Sequence, residues 1–163
     1  MPKYRLLTKN ELQELEKEFV EYLILNSITA EEWETMKIKD QTGAERIIDL
    51  FSDVVFESIL RKINFLEYRD KHSIRVFQCL PEKLVVVAME STNTNEDIDF
   101  TNVEFLKKAT ISPPDSLKLY TTDKPYTRDR EYELFEMLQT GCLITDDRLF
   151  KTLCLMFAEK NNS

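Results

Sequence analysis

Two glycines, Gly43 and Gly141, are all that 163 residues contain. A phosphate cradle needs several, because only a backbone free of Cβ atoms can close its N–H groups around a phosphate. Neither G-x-x-x-x-G-K-[ST] nor G-x-G-x-x-G occurs, which excludes nucleotide binding by those loops. Histidine is equally scarce. His72 stands alone between Lys71 and Ser73 in a predicted turn, where an imidazole is solvated and not oriented as a base or ligand. The three cysteines, Cys79, Cys142 and Cys154, are odd in number and lack C-x-x-C spacing, so neither a disulfide framework nor a zinc site is expected, and a reduced cytoplasm fits. Cys79 and Cys154 fall on apolar segments as inert small hydrophobes; Cys142, just past a predicted helix end, is the one thiol to test for reactivity. No apolar run approaches the ~18 residues of a membrane span, and MPKYRLLTKN leads straight into a helix signal, so no export or anchoring is expected.

Positive charge is also in deficit. The net charge is −8, with thirteen acids and seven bases in residues 1–60 and seventeen acids and fifteen bases in the rest. Such a field repels phosphate backbones, whose affinity for proteins comes mainly from Lys and Arg displacing counterions, so nucleic acid is not an expected partner.

What is present is a succession of helix starts. Thr8-Lys9-Asn10-Glu11 has capping-box spacing with Leu7 and Leu12 at the staple positions, and predicts a helix carrying Leu12, Leu15, Phe19, Tyr22 and Leu23 on one face. Thr29-Ala30-Glu31-Glu32, with Ile28 and Trp33, repeats the device for a short helix to about residue 38. Thr42-Gly43-Ala44-Glu45 supplies a third box and opens a helix over about 43–62. Ile47, Ile48, Leu50, Phe51, Val54, Val55, Phe56, Ile59, Leu60 and Ile63 cover most of that helix's circumference, which predicts a central element buried nearly all round.

From Asn64 the character turns to β. Runs 64–69, 73–80 and 83–90, joined by connections too short for a crossover, predict an antiparallel meander. Leu84–Met89 is continuously apolar and marks a strand covered on both faces. The polar stretch 91–97 reads as loop. Thr101-Asn102-Val103-Glu104 opens a helix to about residue 109, residues 117–120 form a fourth strand, 122–127 form a loop, and helices over 128–140 and 146–159 are divided by Gly141. The expectation is a single α+β domain over residues 1–163: three N-terminal helices, a three-stranded antiparallel meander, a crossover helix, a fourth strand and a C-terminal helical pair.

Two constellations carry polar chemistry. Glu45, Asp49, Asp53 and Glu57 stand at successive i,i+4 steps on the long helix, closed by Arg61. Like charges at this spacing destabilise a helix, so the row invites an account. It reads first as a solvated strip, second as a docking face for a basic protein partner, and third as a divalent-cation site completed from the sheet. Tyr120, Tyr126, Arg128 and Arg130 gather around the loop after the fourth strand, either as binding groups or as anchors of the loop. Asp49, Asp53, Glu57, Tyr126, Arg128 and Arg130 are therefore the candidate binding residues, with no catalytic set, no metal ligands and no cofactor expected. Glu136–Phe157 imitates a helix-turn-helix, but Asp146 and Asp147 stand where phosphates would lie, so core packing through Leu138, Leu149, Leu153 and Phe157 is the reading.

The runs IIDLFSDVVFESILRKINFLEY, YRLLTKNELQELEKEFVEYL and KLVVVAMES together resemble a family of small uncharacterised bacterial proteins of about this length. That resemblance implies a cytoplasmic protein of unassigned activity. From the long helix onward, the order of elements is similar to the core of restriction-endonuclease-like nucleases, which carry an acid on the second strand and an E-x-K pair on the third. IRVFQCL and KLVVVAMES supply neither. A non-enzymatic binding module is the first functional expectation. A metal-dependent hydrolase or degenerate nuclease using Asp53, Glu57 and Glu67 is the alternative.

Overall fold

The computed structural model describes residues 1–92 and 97–161. Residues 93–96, the middle of the predicted polar loop, lie outside the described residues. The chain forms two compact units, Met1–Arg61 and Lys62–Ser163.

The first unit is helical: α1 (Lys9–Glu14), α2 (Glu16–Leu25), α3 (Ala30–Lys39) and α4 (Gln41–Lys62), the last ending across the unit boundary. Both predicted capping boxes at Thr8 and Thr29 form, each Thr side chain accepting from the N3 backbone while the N3 glutamate reaches back. The first predicted helix is interrupted at Leu15, whose backbone leaves helical geometry. At α4 the start differs from expectation. Asp40, not Thr42, caps it: the Asp40 carboxylate accepts from the Gly43 N–H at 3.0 Å, and the helix begins two residues early.

Phe51 is the centre of this unit, with Phe19 at 5.0 Å edge-on and Tyr22 at 5.4 Å between ring centroids. Leu23, Trp33 and Ala44 form the adjoining core, with Ile47 and Ile48 against it. The long helix is not buried all round. Only Ala44, Phe51, Ser52 and Leu60 on it are buried, while Leu50 and Val54 are 48% and 51% exposed. The neighbouring helices α2 and α3 reach α4 through Phe51, Ala44, Ile47 and Ile48, while Leu50, Val54 and Ile59 on its other rows are exposed.

The second unit is built on a five-stranded antiparallel sheet in the order β4-β3-β2-β1-β5, from β1 (Phe65–Arg69), β2 (Ser73–Cys79), β3 (Lys83–Ser91), β4 (Leu117–Pro125) and β5 (Leu143–Thr145). Its helices are α5 (Val103–Ile111), α6 (Arg130–Gln139) and α7 (Arg148–Asn161). Asp70 closes the first hairpin by accepting from the His72 and Ser73 N–H groups. In the second, the Leu80 N–H reaches the Lys83 carbonyl across Pro81-Glu82. As expected, β3 is internal, and Leu84 and Val86–Met89 are buried. One face, with Ile74, Val76, Val87, Met89 and Leu117, packs on Phe100 before α5, on Leu106 and Ala109 of α5 and on Phe150 and Leu153 of α7. Of the C-terminal apolar residues expected in the core, Leu153 is buried and Leu149 packs against this cluster, whereas Leu138 and Phe157 are only half-buried.

Two differences follow from pairing. β4 runs to Pro125, because it is an edge strand with Pro125 opposite Lys83, and an edge tolerates a residue without an N–H. Residues 143–145, predicted as a connection, pair with β1 as a fifth strand. Gly141 ends α6 at φ 111°, with the Cys142 N–H to the Met137 carbonyl at 3.0 Å and the Gly141 N–H to Leu138 at 3.3 Å, a complete Schellman motif.

Candidate functional site

The i,i+4 spacing puts Asp49, Asp53 and Glu57 on one face of α4, and an N-terminal segment of the chain lies on them. The Lys3 backbone N–H donates to both oxygens of Asp53 at 2.8 Å, and the Tyr4 N–H adds a third bond at 3.2 Å. The Tyr4 hydroxyl donates to Glu57, which also pairs with Arg61 at 3.3 Å. The Met1 ammonium stands 3.6 Å from Asp49. Hence the row accepts peptide N–H, phenol and ammonium donors together. Glu45, at the head of the row, is exposed and lines a cleft of about 360 Å³ with Arg46, Asp49, Leu50, Asp53 and Met1.

The same segment is moored farther along. The Leu7 N–H donates to the Oγ of Ser52 at 3.1 Å, where both residues are buried. Arg5 lies over the Phe56 ring at 4.7 Å and forks onto Glu11 at 2.9 and 3.2 Å. That guanidinium, with the Thr8 N–H, holds the Glu11 carboxyl down at about 2, and the pairing raises Arg5 in turn. Tyr4, Arg5 and Ser52 were missed in the sequence. A signal exists for Ser52, a lone small hydroxyl between Phe51 and the Val54-Val55-Phe56 run.

The second constellation is tied into its own unit. Arg130 donates to the carbonyls of Ile63, Cys79 (3.1 Å) and Leu80 (3.2 Å), and pairs with Glu131 at 3.2 Å. The Tyr126 hydroxyl shares the Leu80 carbonyl at 2.9 Å, and burial pushes its pKa up to about 12. Arg128 meets Glu136 and lies 4.7 Å from the centre of the Tyr132 ring. Glu133 accepts from Thr127 and from the Arg128 N–H; burial raises its pKa, but these bonds outweigh it and the carboxyl sits below its usual value. Tyr120 is half-buried on β4.

Glu67, the sheet carboxylate of the hydrolase expectation, is buried and paired with Arg69 at 2.6 Å. Among the described residues, no three His, Cys, Asp or Glu side chains gather as a metal-holding group, and no helix is long and apolar enough to cross a membrane. Cys142, the thiol singled out for reactivity, is buried, and desolvation raises its pKa, which disfavours the nucleophilic thiolate. Burial likewise pushes Cys79 up to about 12.

A five-stranded antiparallel sheet carrying helices, preceded by a helical unit, defines an α+β protein. The chain belongs to the family of unknown function DUF6495, whose model matches residues 1–158. No curated protein and no solved structure matches it.

Proposed function

We propose that this protein is an interaction module whose acid row on α4 docks an extended, cationic segment of a protein partner. One observation carries the reading: Asp49, Asp53 and Glu57 already take a peptide segment through its backbone N–H groups, a tyrosine hydroxyl and an ammonium. A cationic segment brings backbone N–H groups and charged N–H donors of the same kind, and the −8 net charge favours its approach. The exposed Leu50 and Val54 beside the row offer surface for the aliphatic stems of lysine or arginine.

Fluorescence anisotropy of a labelled arginine hexapeptide tests this at low ionic strength. Saturable binding is expected, weakened about tenfold or more in Asp49→Asn/Asp53→Asn and weakened by salt. Equal binding by that variant, or equal binding of a glutamate hexapeptide, would refute the docking reading.

A further inference from the structure

The N-terminal segment divides into two parts by what holds it. Leu7 is buried and bonded to buried Ser52, Tyr4 and Arg5 are half-buried against the Phe56 ring, and Met1 and Lys3 are exposed, reaching α4 through the Met1 ammonium and the Lys3 N–H. Bonds of this kind at the surface belong to the low-stability end of a structure, where segments open locally while the core stays closed. Residues 1–6 can therefore leave α4 with Leu7 as the fixed point, giving up the half-buried contacts of Tyr4 and Arg5 with Phe56 as they go. Once they leave, Asp49 and Asp53 lose the donors that offset their i,i+4 repulsion, and Glu57 loses the Tyr4 hydroxyl while keeping Arg61. The opened row is then a stronger attractor of cations than the closed one.

Resting on the docking reading above, we infer that residues 1–6 are an autoinhibitory strap, the cis occupant of the acid row, and that a cationic partner segment binds by displacing it. The strap competes because it uses the same acceptors: the Lys3 and Tyr4 N–H groups occupy Asp53 and the Tyr4 hydroxyl occupies Glu57. A partner's measured affinity is thereby reduced by the fraction of molecules in which the strap is open. The cleft lined by Met1, Glu45, Arg46, Asp49 and Leu50 lies at the strap's first residue, so an incoming segment can engage Glu45 beside Met1 before the rest of the strap has left.

The test loosens the strap without touching the row. Lys3→Pro removes the N–H that spans both Asp53 oxygens, Tyr4→Phe removes the hydroxyl on Glu57, and Lys3→Gln removes charge but keeps the N–H. The labelled arginine hexapeptide is titrated into each full-length protein. Lys3→Pro/Tyr4→Phe should bind about tenfold tighter than the natural chain, with Lys3→Gln nearly unchanged. In the natural chain, peptide addition should move the backbone amide resonances of Lys3 and Tyr4 to unstructured positions. Equal affinity of the double variant and the natural chain, with loss in Asp49→Asn/Asp53→Asn, would overturn the strap and leave docking intact. A gain in Lys3→Gln matching the double variant would also overturn it, since charge alone would then explain the effect. Binding by none of these proteins would remove the docking reading and the strap with it.

Discussion

The backbone N–H of Lys3 is shared between the two carboxylate oxygens of Asp53, 2.8 Å from each, across fifty residues of chain. A carboxylate in a purely solvated i,i+4 row would behave differently from one holding such a bond, and the sign of a substitution separates them. Asp53→Ala should destabilise the protein by about 1–2 kcal/mol, the net worth of hydrogen bonds to a charged acceptor that water can partly replace. Relief of repulsion alone would instead stabilise by about 0.2–0.5 kcal/mol per neighbour. Equilibrium denaturation in urea measures the difference directly.

Glu11 sets an acid limit. Its folded-state pKa of about 2 lies below the ordinary value of 4.5, first through the Arg5 hydrogen bond and then through the Thr8 N–H. The unfolded chain therefore takes up the proton first as pH falls, and the stabilisation from this carboxylate, complete above about pH 5.5, is lost between about pH 4.5 and 2. Glu11→Gln should be less stable than the natural chain at pH 7. The gap should narrow through that window and close near pH 2, as followed by circular dichroism.

Phe51→Ala tests the core of the helical unit. Phe51 is 3% exposed and touches the rings of Phe19 and Tyr22, so its removal should cost about 3–5 kcal/mol. A loss below about 1 kcal/mol would mean that the ring is not enclosed.

Ser27 and Gly141 occupy equivalent places in two helix endings. After α2, Ser27 sits at φ 60°, with the Ile28 N–H to Leu23 at 2.9 Å and its own N–H to Ile24 at 3.0 Å, the same bonds that Cys142 and Gly141 make after α6. An L side chain in the left-handed region costs about 1–2 kcal/mol. Ser27→Gly should accordingly raise stability by about 0.5–1 kcal/mol after the entropy of a freer unfolded chain is deducted, and Gly141→Ala should lower it by about 1 kcal/mol or more. The outward space at Gly141 is ordinary, 3.6 Å to the Tyr68 ring, so the backbone and not a clash decides. Thermal melts of both variants give the two signs.

Element types were legible because they rest on local rules. The Thr8 and Thr29 boxes, the hairpins at residues 70–72 and 81–82 and the Gly141 stop each use contacts within a few residues, and each forms. Competition at close range produced the misplacements: Asp40 captures the Gly43 N–H ahead of Thr42, and Asn102 caps α5 by accepting from Glu104 and Phe105 where a Thr101 box was expected. The three-residue strand β5 was illegible, since a pattern of two cannot establish itself in so short a run. It exists only because β1 presents an unpaired edge.

The acid row shows the same division. Its presence on one face of α4 follows from the 3.6-residue turn and was determined by sequence alone. That it carries residues 1–4, that Ser52 receives Leu7, and that Arg130 draws together the carbonyls of Ile63, Cys79 and Leu80 were decided only by tertiary structure. Each of these bonds joins residues some forty to seventy positions apart. A backbone N–H or carbonyl is identical at every residue, so the sequence carries no mark of which distant side chain it will meet until packing has brought the two together.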